Sequence, residues 1–359
     1  MLINVLQPYI DNRAVVGAVA AIASADEILD IGAIGMADIA AKRPMAIDTM
    51  FWIASVTKAF TGTAVMMLVE SGDISLDEPV ETYVPEFSDL WLAVERDDEH
   101  ILLRRPRRRI TVRDTLCHVS GLAFRSHVET PALDCHSLMA RVCSYAMMPL
   151  NNEPGSAFEY SNAGTNTAGR VVECVSGKSF DTFLDERIFR PLGMVDTTFW
   201  PSSAQISRLA TAYRPNETKT DVEPFDVFDL TYPLDDRTRR TLMPAGGLFS
   251  TVGDMTRFGR AIFRGGELEG RRILRDTTVA EMLTKQSTFY PNIEGVWALG
   301  WWNNGPRSGI GGMLSTNVEF DTATGLVYVY FIQHLGFLHD GINARTIYQS
   351  AADERFAKR

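Results

Sequence analysis

Residues 51–60 read FWIASVTKAF, and Ser55 and Lys58 stand three positions apart inside an apolar run. At i and i+3 on a helix, two side chains share one face. A serine at a helix N-terminus gains from the dipole as its oxygen takes on negative charge. A lysine walled by Phe51 and Phe60 is desolvated, and desolvation lowers an ammonium pKa. The spacing therefore describes one of two things. It is a capped amphipathic helix with a solvated lysine, or a nucleophile beside the amine that activates it. From Val56 the chain runs VTKAFTGTAVMMLVESG, with Phe60, Ala64, Met67 and Leu68 on one face. That pattern predicts a mostly buried helix stopped at Gly72.

Working outward, LINVLQPYI spaces Leu2, Val5, Leu6 and Ile10 as a short first helix. The runs AVVGAVAAIAS and EILDIGAIG, separated by a short polar turn, predict an antiparallel hairpin. The middle of the chain reads as helix and loop. TVRDTLCHVSGL predicts a capped helix ending at Gly121, and HSLMARVCSYAMM an amphipathic one. SNAGTNTAGRVVECVSG predicts a third ending at Gly177, and FDTFLDERIFRPLGM a fourth stopped by Pro191. WALGWW, LSTNVEFD and GLVYVYFIQH have strand composition, with turns at NNGP and TATG, before a terminal helix in GINARTIYQSAADERFA. The order is helix, strands, helical block, strands, helix. It predicts an α+β fold in one domain, 1–359. Strands from both ends form an antiparallel sheet flanked by the terminal helices, with an α/β lobe from about 1–60 and 200–359 and an all-helical lobe at about 61–199. A metabolic α/β domain with chance motifs would instead show parallel βαβ order. The cleft between the lobes is the expected site.

The 359 residues are 45% hydrophobic and 22% charged, with a formal net charge of −10. An acidic chain repels phosphate backbones, so nucleic acid is a poor partner. The run RRPRRR, Arg104 to Arg109, reads as a solvated loop. Asp73, Asp77 and Glu81 read as solvated loop acids. Cys117, Cys135, Cys143 and Cys174 form no C-x-x-C pair and read as small buried hydrophobes. No stretch reaches the ~18–20 apolar residues of a membrane span. The opening residues lack a basic n-region and carry acidic and proline breaks, so they are not read as a signal peptide. As given, the chain is expected in the cytoplasm, or exported if a leader has been removed.

Two further segments bear chemistry. In PGSAFEYSNAG, Tyr160 lies two residues before Asn162 in a Gly-Pro-bounded loop that opens a helix. Such a loop aims a phenol and an amide into one cleft, and a phenolate near cations serves as a general base. The plainer reading is a core tyrosine with an N-cap asparagine. In SGIGGMLSTNVEFD, Gly311 and Gly312 precede a β-type run. Glycine at a strand edge admits close approach to the backbone. The amide of Met313 would then join that of Ser55 as an oxyanion donor. The plainer reading is a β-bulge or hairpin turn.

Together these segments resemble the serine β-lactamase and penicillin-binding superfamily, where S-x-x-K is a signature. The resemblance is greatest to the branch of class C β-lactamases, DD-peptidases and family VIII carboxylesterases. It is carried by DTMFWIASVTKAFTGTAVMMLVESGDISLDEPVETYVPEF, ITVRDTLCHVSGL, PGSAFEYSNAG, FRPLGMVDTTF and PAGGLFSTVGDMTRFG, in the expected order. It implies the β-lactamase/transpeptidase-like fold, Ser55 as nucleophile, Lys58 as its partner, Tyr160 as general base and Asn162 as a positioning amide. It makes His118 of LCHVSGL a structural residue rather than a base.

The third motif departs from the pattern. Lactamases and peptidases of this kind usually begin it with lysine, and many relatives with histidine; here Ile310-Gly311-Gly312 fills the slot. Isoleucine cannot bind a carboxylate, and a hydrophobic residue before two glycines is similar to the family VIII esterases. Arg307 replaces the cation only if its loop folds back. The expectation is an acyl-enzyme serine hydrolase of small-molecule esters, needing no metal or cofactor. Ile310, Gly311 and Gly312 would position the substrate. A β-lactamase is the alternative, then a D-aminopeptidase or DD-peptidase. A catalytically silent relative that binds a peptidoglycan fragment or protein partner is the rival of another class.

Overall fold

The run GAVAAIA is small and β-branched throughout, which suits a strand covered on both faces. It forms β1 (Gly17–Ala23), buried at every residue. In the computed structural model, which describes residues 1–226, 230–295 and 297–357, β1 is a central strand. β2 (Ile28–Asp38) returns antiparallel beside it with Ala21 opposite Ile31, and β3 (Arg43–Pro44) forms the edge. From the far end of the chain come β4 (Trp302–Asn304), β5 (Arg307–Gly311), β6 (Asn317–Asp321) and β7 (Leu326–Phe331). β7 pairs with β1, Val19 opposite Phe331, giving the antiparallel order β4-β5-β6-β7-β1-β2-β3.

Alternation along β1 serves two cores. Ala18, Ala20 and Ile22 pack with Leu2, Ile3 and Leu6 of the first helical segment and with Tyr348 near the C-terminus. Val19, Ala21 and Ala23 face the larger core. That core holds α1 (Thr57–Ser71), α2 (Val112–Leu116), α3 (Leu138–Ala146), α4 (Asn162–Ser176) and α5 (Val252–Phe263). Tyr348 belongs to α6 (Ala344–Phe356), the expected terminal helix. α1 ends at Gly72 in the left-handed conformation (φ 82°), and α4 at Gly177 (φ 67°), as their sequences predict. Among the described residues no helix is long and apolar enough to cross a membrane.

Several local expectations change. α2 stops at Leu116, with Cys117 as its cap, instead of reaching Gly121, because His118 adopts φ 59° and turns the chain. The segment containing Pro191 passes through it and ends at Gly193, since Pro191 sits in the first turn of Arg190–Leu192, where no N–H is needed. Of WALGWW only Trp302 is in a strand. The arginine run leaves the strand Ile101–Arg104, which pairs with Leu92–Arg96 inside the lobe expected to be all-helical, as an exposed loop. Its side chains are paired: Arg104 with Glu153, Arg105 with Asp89, Arg108 with Asp114 and Arg109 with Glu81. Asp77 likewise takes Arg113 at 2.8 Å. Cys117 is buried, but Cys174 is exposed.

From Thr57 to Leu68, α1 is buried on every side. Gly62 is what lets this helix meet the loop at Leu299, whose carbonyl oxygen a Cβ would overlap. On an exposed helix, Gly→Ala stabilises by up to ~1 kcal/mol. Here the sign reverses, and Gly62→Ala should destabilise by ~1–3 kcal/mol through overpacking. A lowered melting temperature checks this, and an unchanged or raised one contradicts the close contact.

Candidate active site

Ser55 sits on a bend that the local sequence does not favour. The pairing of Phe51 and Trp52 with Phe249 and Ser250 delivers the chain to Ala54, whose φ is 47°. The left-handed region costs an L-residue roughly 1–2 kcal/mol, so the surroundings must hold it. Thr57 Oγ1 donates to the Ala54 carbonyl at 2.7 Å and accepts the Leu248 N–H at 3.2 Å. The Ile53 N–H donates to the Leu248 carbonyl at 3.0 Å, and Thr316 Oγ1 donates to the Ile53 carbonyl at 3.0 Å. The bend starts the single 3₁₀ turn Ala54–Val56 that runs into α1.

Lys58, one turn on, is fully buried. Its Nζ donates to Ser55 Oγ at 3.2 Å, Asn162 Oδ1 at 2.7 Å and the Ala245 carbonyl at 2.7 Å. All three acceptors are uncharged, and burial lowers the ammonium from its ordinary 10.5 to about 7. The solvated-lysine reading is therefore excluded.

Asn162 reaches Lys58 because it does not cap its helix. Ser161 does so instead: its Oγ accepts the Gly164 N–H at 3.0 Å and donates to the Ala123 carbonyl at 2.8 Å. Tyr160, just before it, donates its hydroxyl to Ser55 Oγ at 2.9 Å. Burial pushes the phenol up to about 12, against the opposing pull of the Ser55 hydrogen bond. Lys58 Nζ lies 4.7 Å from the Tyr160 ring centroid. Lys58 and Tyr160 thus converge on one hydroxyl, and Asn162 holds the lysine from the other side.

His118 supports this loop. It is buried, its Nδ1 accepts the Ser161 N–H at 3.2 Å, and its ring lies 4.5 Å from that of Tyr160. Burial first, and then the Lys58 charge, push it down to about 3, so it stays neutral. Its Nε2 has no hydrogen-bond partner among the described residues.

The third motif lies on β5 and the turn after it. Gly311, Gly312 and Met313 line the cleft. A Cβ on Gly312 would overlap the Thr316 hydroxyl and the Ile53 carbonyl, so this position admits only glycine. Among the described residues no acceptor takes the Met313 amide, which leaves it available. The expectation for Ile310 needs correction. Its side chain is fully buried in the larger core, because strand alternation turns it away from the face of Gly311. Arg307 does not fold back: it is held by Asp321 at 2.8 Å and by Glu319 and Asp353 at 3.3 Å.

The cleft is a cavity of about 960 Å³, walled largely by Trp52, Phe124, Met243, Trp297, Trp302 and Met313. Five polar residues that the sequence did not single out also line it: Arg125, Glu129, Asn166, Asn317 and Arg345. Arg345 comes from α6, where nothing in the local pattern marks it. Asn166 lies four residues after Asn162, a spacing that placed it on the same helix face. Its Oδ1 accepts the Ala245 N–H at 3.0 Å and its Nδ2 donates to Tyr145 OH at 2.9 Å. Tyr145 OH in turn donates to Glu129 Oε1 at 2.7 Å. The residue whose carbonyl holds Lys58 is therefore itself held, at its N–H, from α4.

An antiparallel sheet between helices, with Ser-x-x-Lys and Tyr-x-Asn facing each other, defines a β-lactamase-type site. Residues 2–353 match the beta-lactamase family, and the chain belongs to that family of serine hydrolases. It is 33% identical to esterase EstB of Burkholderia gladioli over 57% of this chain and 52% of that protein. It is 30% identical to penicillin-binding protein 4 of Amycolatopsis lactamdurans over 66% of this chain and 56% of that one. Each alignment spans just over half of the relative. The solved structure of EstCE1, a hydrolase with promiscuous acyltransferase activity, superposes with a TM-score of 0.79 at 23% identity, covering 98% of this chain and 97% of that one. At that identity the likeness establishes the fold.

The lowered lysine has a consequence for stability. Between about pH 7 and 10.5 the unfolded chain holds a proton on Lys58 that the folded chain does not. Folding then becomes more favourable as pH rises through that window. Lys58→Met lacks this proton linkage. The stability difference, native minus Lys58→Met, should grow in favour of the native chain as pH rises from 7 toward 10, read by urea denaturation. A difference independent of pH would show that Lys58 keeps its ordinary pKa.

Proposed function

We propose that this protein is an esterase that works through an acyl-enzyme on Ser55. The observation that carries the reading is the convergence of Lys58 Nζ, at 3.2 Å, and Tyr160 OH, at 2.9 Å, on Ser55 Oγ. Lys58, near neutrality, is the group able to take the serine proton as Oγ attacks the ester carbonyl. Tyr160, held protonated, relays a proton to the departing alkoxide and is reprotonated from Lys58, so the serine's proton in effect leaves on the alcohol. The amides of Ser55 and Met313 would hold the oxyanion, and Asn162 keeps the ammonium aimed at the serine. Water then repeats the attack with the same groups and releases the acid.

Esterase is favoured over β-lactamase because the third motif brings only Gly311, Gly312 and Met313 to the cleft, with no cation, and because Arg307 is engaged with three carboxylates. A buried anion without a partner costs several kcal/mol. One observation supports the second reading: Arg345 lines the cleft and brings a guanidinium that would meet a β-lactam carboxylate.

A fluorophosphonate should add one adduct, on Ser55, seen by intact mass. Ser55→Ala should fold and lose turnover, and Tyr160→Phe should lose roughly 10²- to 10⁴-fold in the acylation of an alkyl ester. An adduct on Ser161 or Ser120 would overturn the assignment. Activity should fall on acidification with a midpoint near the lysine's value of about 7, because protonated Lys58 cannot accept the serine's proton. An acid limb well below that would move the base elsewhere. Short p-nitrophenyl esters should be hydrolysed far more efficiently than a chromogenic cephalosporin. Equal efficiencies, with the cephalosporin rate lost in Arg345→Ala, would establish the second reading.

A further inference from the structure

The cleft holds a column of rings of which the acyl-transfer chemistry uses only Tyr160. His118 and Tyr160 lie 4.5 Å apart at 34°, and Phe124 continues the column 6.2 Å from Tyr160 at 28°. Trp297 closes the side of the column, edge-on to His118 at 4.9 Å and to Tyr160 at 5.6 Å. Burial decreases along the column, from His118 at 1% exposure to Phe124 at 50%. Phe124 lines the cavity and is half exposed, so it offers ring surface to substrate space.

The position of Phe124 is fixed by the catalytic loop itself. Its carbonyl accepts the N–H groups of Asn162 and Ala163, both at 3.2 Å, at the start of α4. The adjacent Ala123 carbonyl accepts the Ser161 hydroxyl at 2.8 Å. The ring is therefore held in register with Tyr160 and Asn162. Such a half-exposed ring on an anchored backbone is a preorganised surface for another planar ring, which prefers offset stacking. The cavity, at about 960 Å³, far exceeds what a short acyl group fills. On the strand side, Met313 is 53% exposed beside its available amide and adds a polarisable thioether to the same cavity.

We infer that the site takes esters bearing a planar aryl group, which stacks on Phe124 beside the reacting carbonyl. This rests on the esterase reading for the chemistry but not for the binding. The ring belongs to the acyl or the alcohol portion, and paired ligands separate the two.

The test is calorimetric binding to Ser55→Ala, which needs no turnover. The acyl pair is methyl 2-naphthylacetate and its decahydronaphthyl counterpart; the alcohol pair is 2-naphthylmethyl acetate and its saturated counterpart. In one pair the aryl ligand should bind about three- to tenfold tighter. Phe124→Leu in the same background should abolish that preference, and Phe124→Trp should keep it. Equal binding within both pairs, no detectable binding by any ligand, or a preference that survives Phe124→Leu each overturns the inference. If the naphthyl preference appears but the native enzyme hydrolyses none of the four esters, the esterase reading fails and the aryl subsite stands.

Discussion

Lys58 places an ammonium where no water reaches it, and its three N–H bonds meet oxygens from three separate segments: Ser55, Asn162 and Ala245. An unpaired buried polar group costs roughly 1–3 kcal/mol, and more when charged. The fold therefore satisfies all three donors or forgoes the lysine. Satisfying them pins the start of α1, the start of α4 and the loop at Ala245 to one point. The proposed chemistry follows from the same constraint. Neutral acceptors hold the amine without restoring the charge stabilisation lost on burial, so it titrates near neutrality.

Around that point the structure supplies reinforcement at some distance from the reacting hydroxyl. The left-handed Ala54 is locked by Thr57, Leu248 and Thr316. The Ala245 N–H is held by Asn166, which is tied through Tyr145 to buried Glu129. Glu129 also accepts the Ser126 N–H at 2.9 Å. The bonds of Thr57 to Leu248, Thr316 to Ile53 and Asn166 to Ala245 join segments far apart in sequence, so the site's geometry is a property of the packed whole. His118 acts in the same way through Ser161, as a neutral acceptor that orients the Tyr160 loop.

The environments of Lys58 and Tyr160 push their acidities in opposite directions, one down to about 7 and the other up to about 12. Burial causes both shifts, because it penalises whichever form is charged. Above about pH 7 the site is then an amine that keeps two N–H bonds and turns its lone pair to Ser55, with a phenol ready to donate on the other side of the hydroxyl. A phenolate base, the role implied for Tyr160 by resemblance, is replaced in this proposal by a division of labour between the two groups.

Local pattern determined a good deal by itself. Apolar periodicity and terminal glycines marked α1 and α4, and small, β-branched runs marked β1, β2 and β7, because those signals lie within a dozen neighbouring residues. The i, i+3 spacing put Ser55 and Lys58 on one face, since helix geometry alone does that. Spacing could not show which residue caps α4. Ser161 and Asn162 are both good caps, and the choice of Ser161 depends on Ala123, some forty positions away. Nor could it aim Ile310, because its facing follows from how β5 pairs with β6 and packs on the larger core. Arg307, a spare cation in the sequence, is committed to three carboxylates from β6 and α6. Arg345, unmarked in the sequence, arrives at the cleft. Contacts between distant segments decide these placements, and only the assembled sheet and helices bring those segments together.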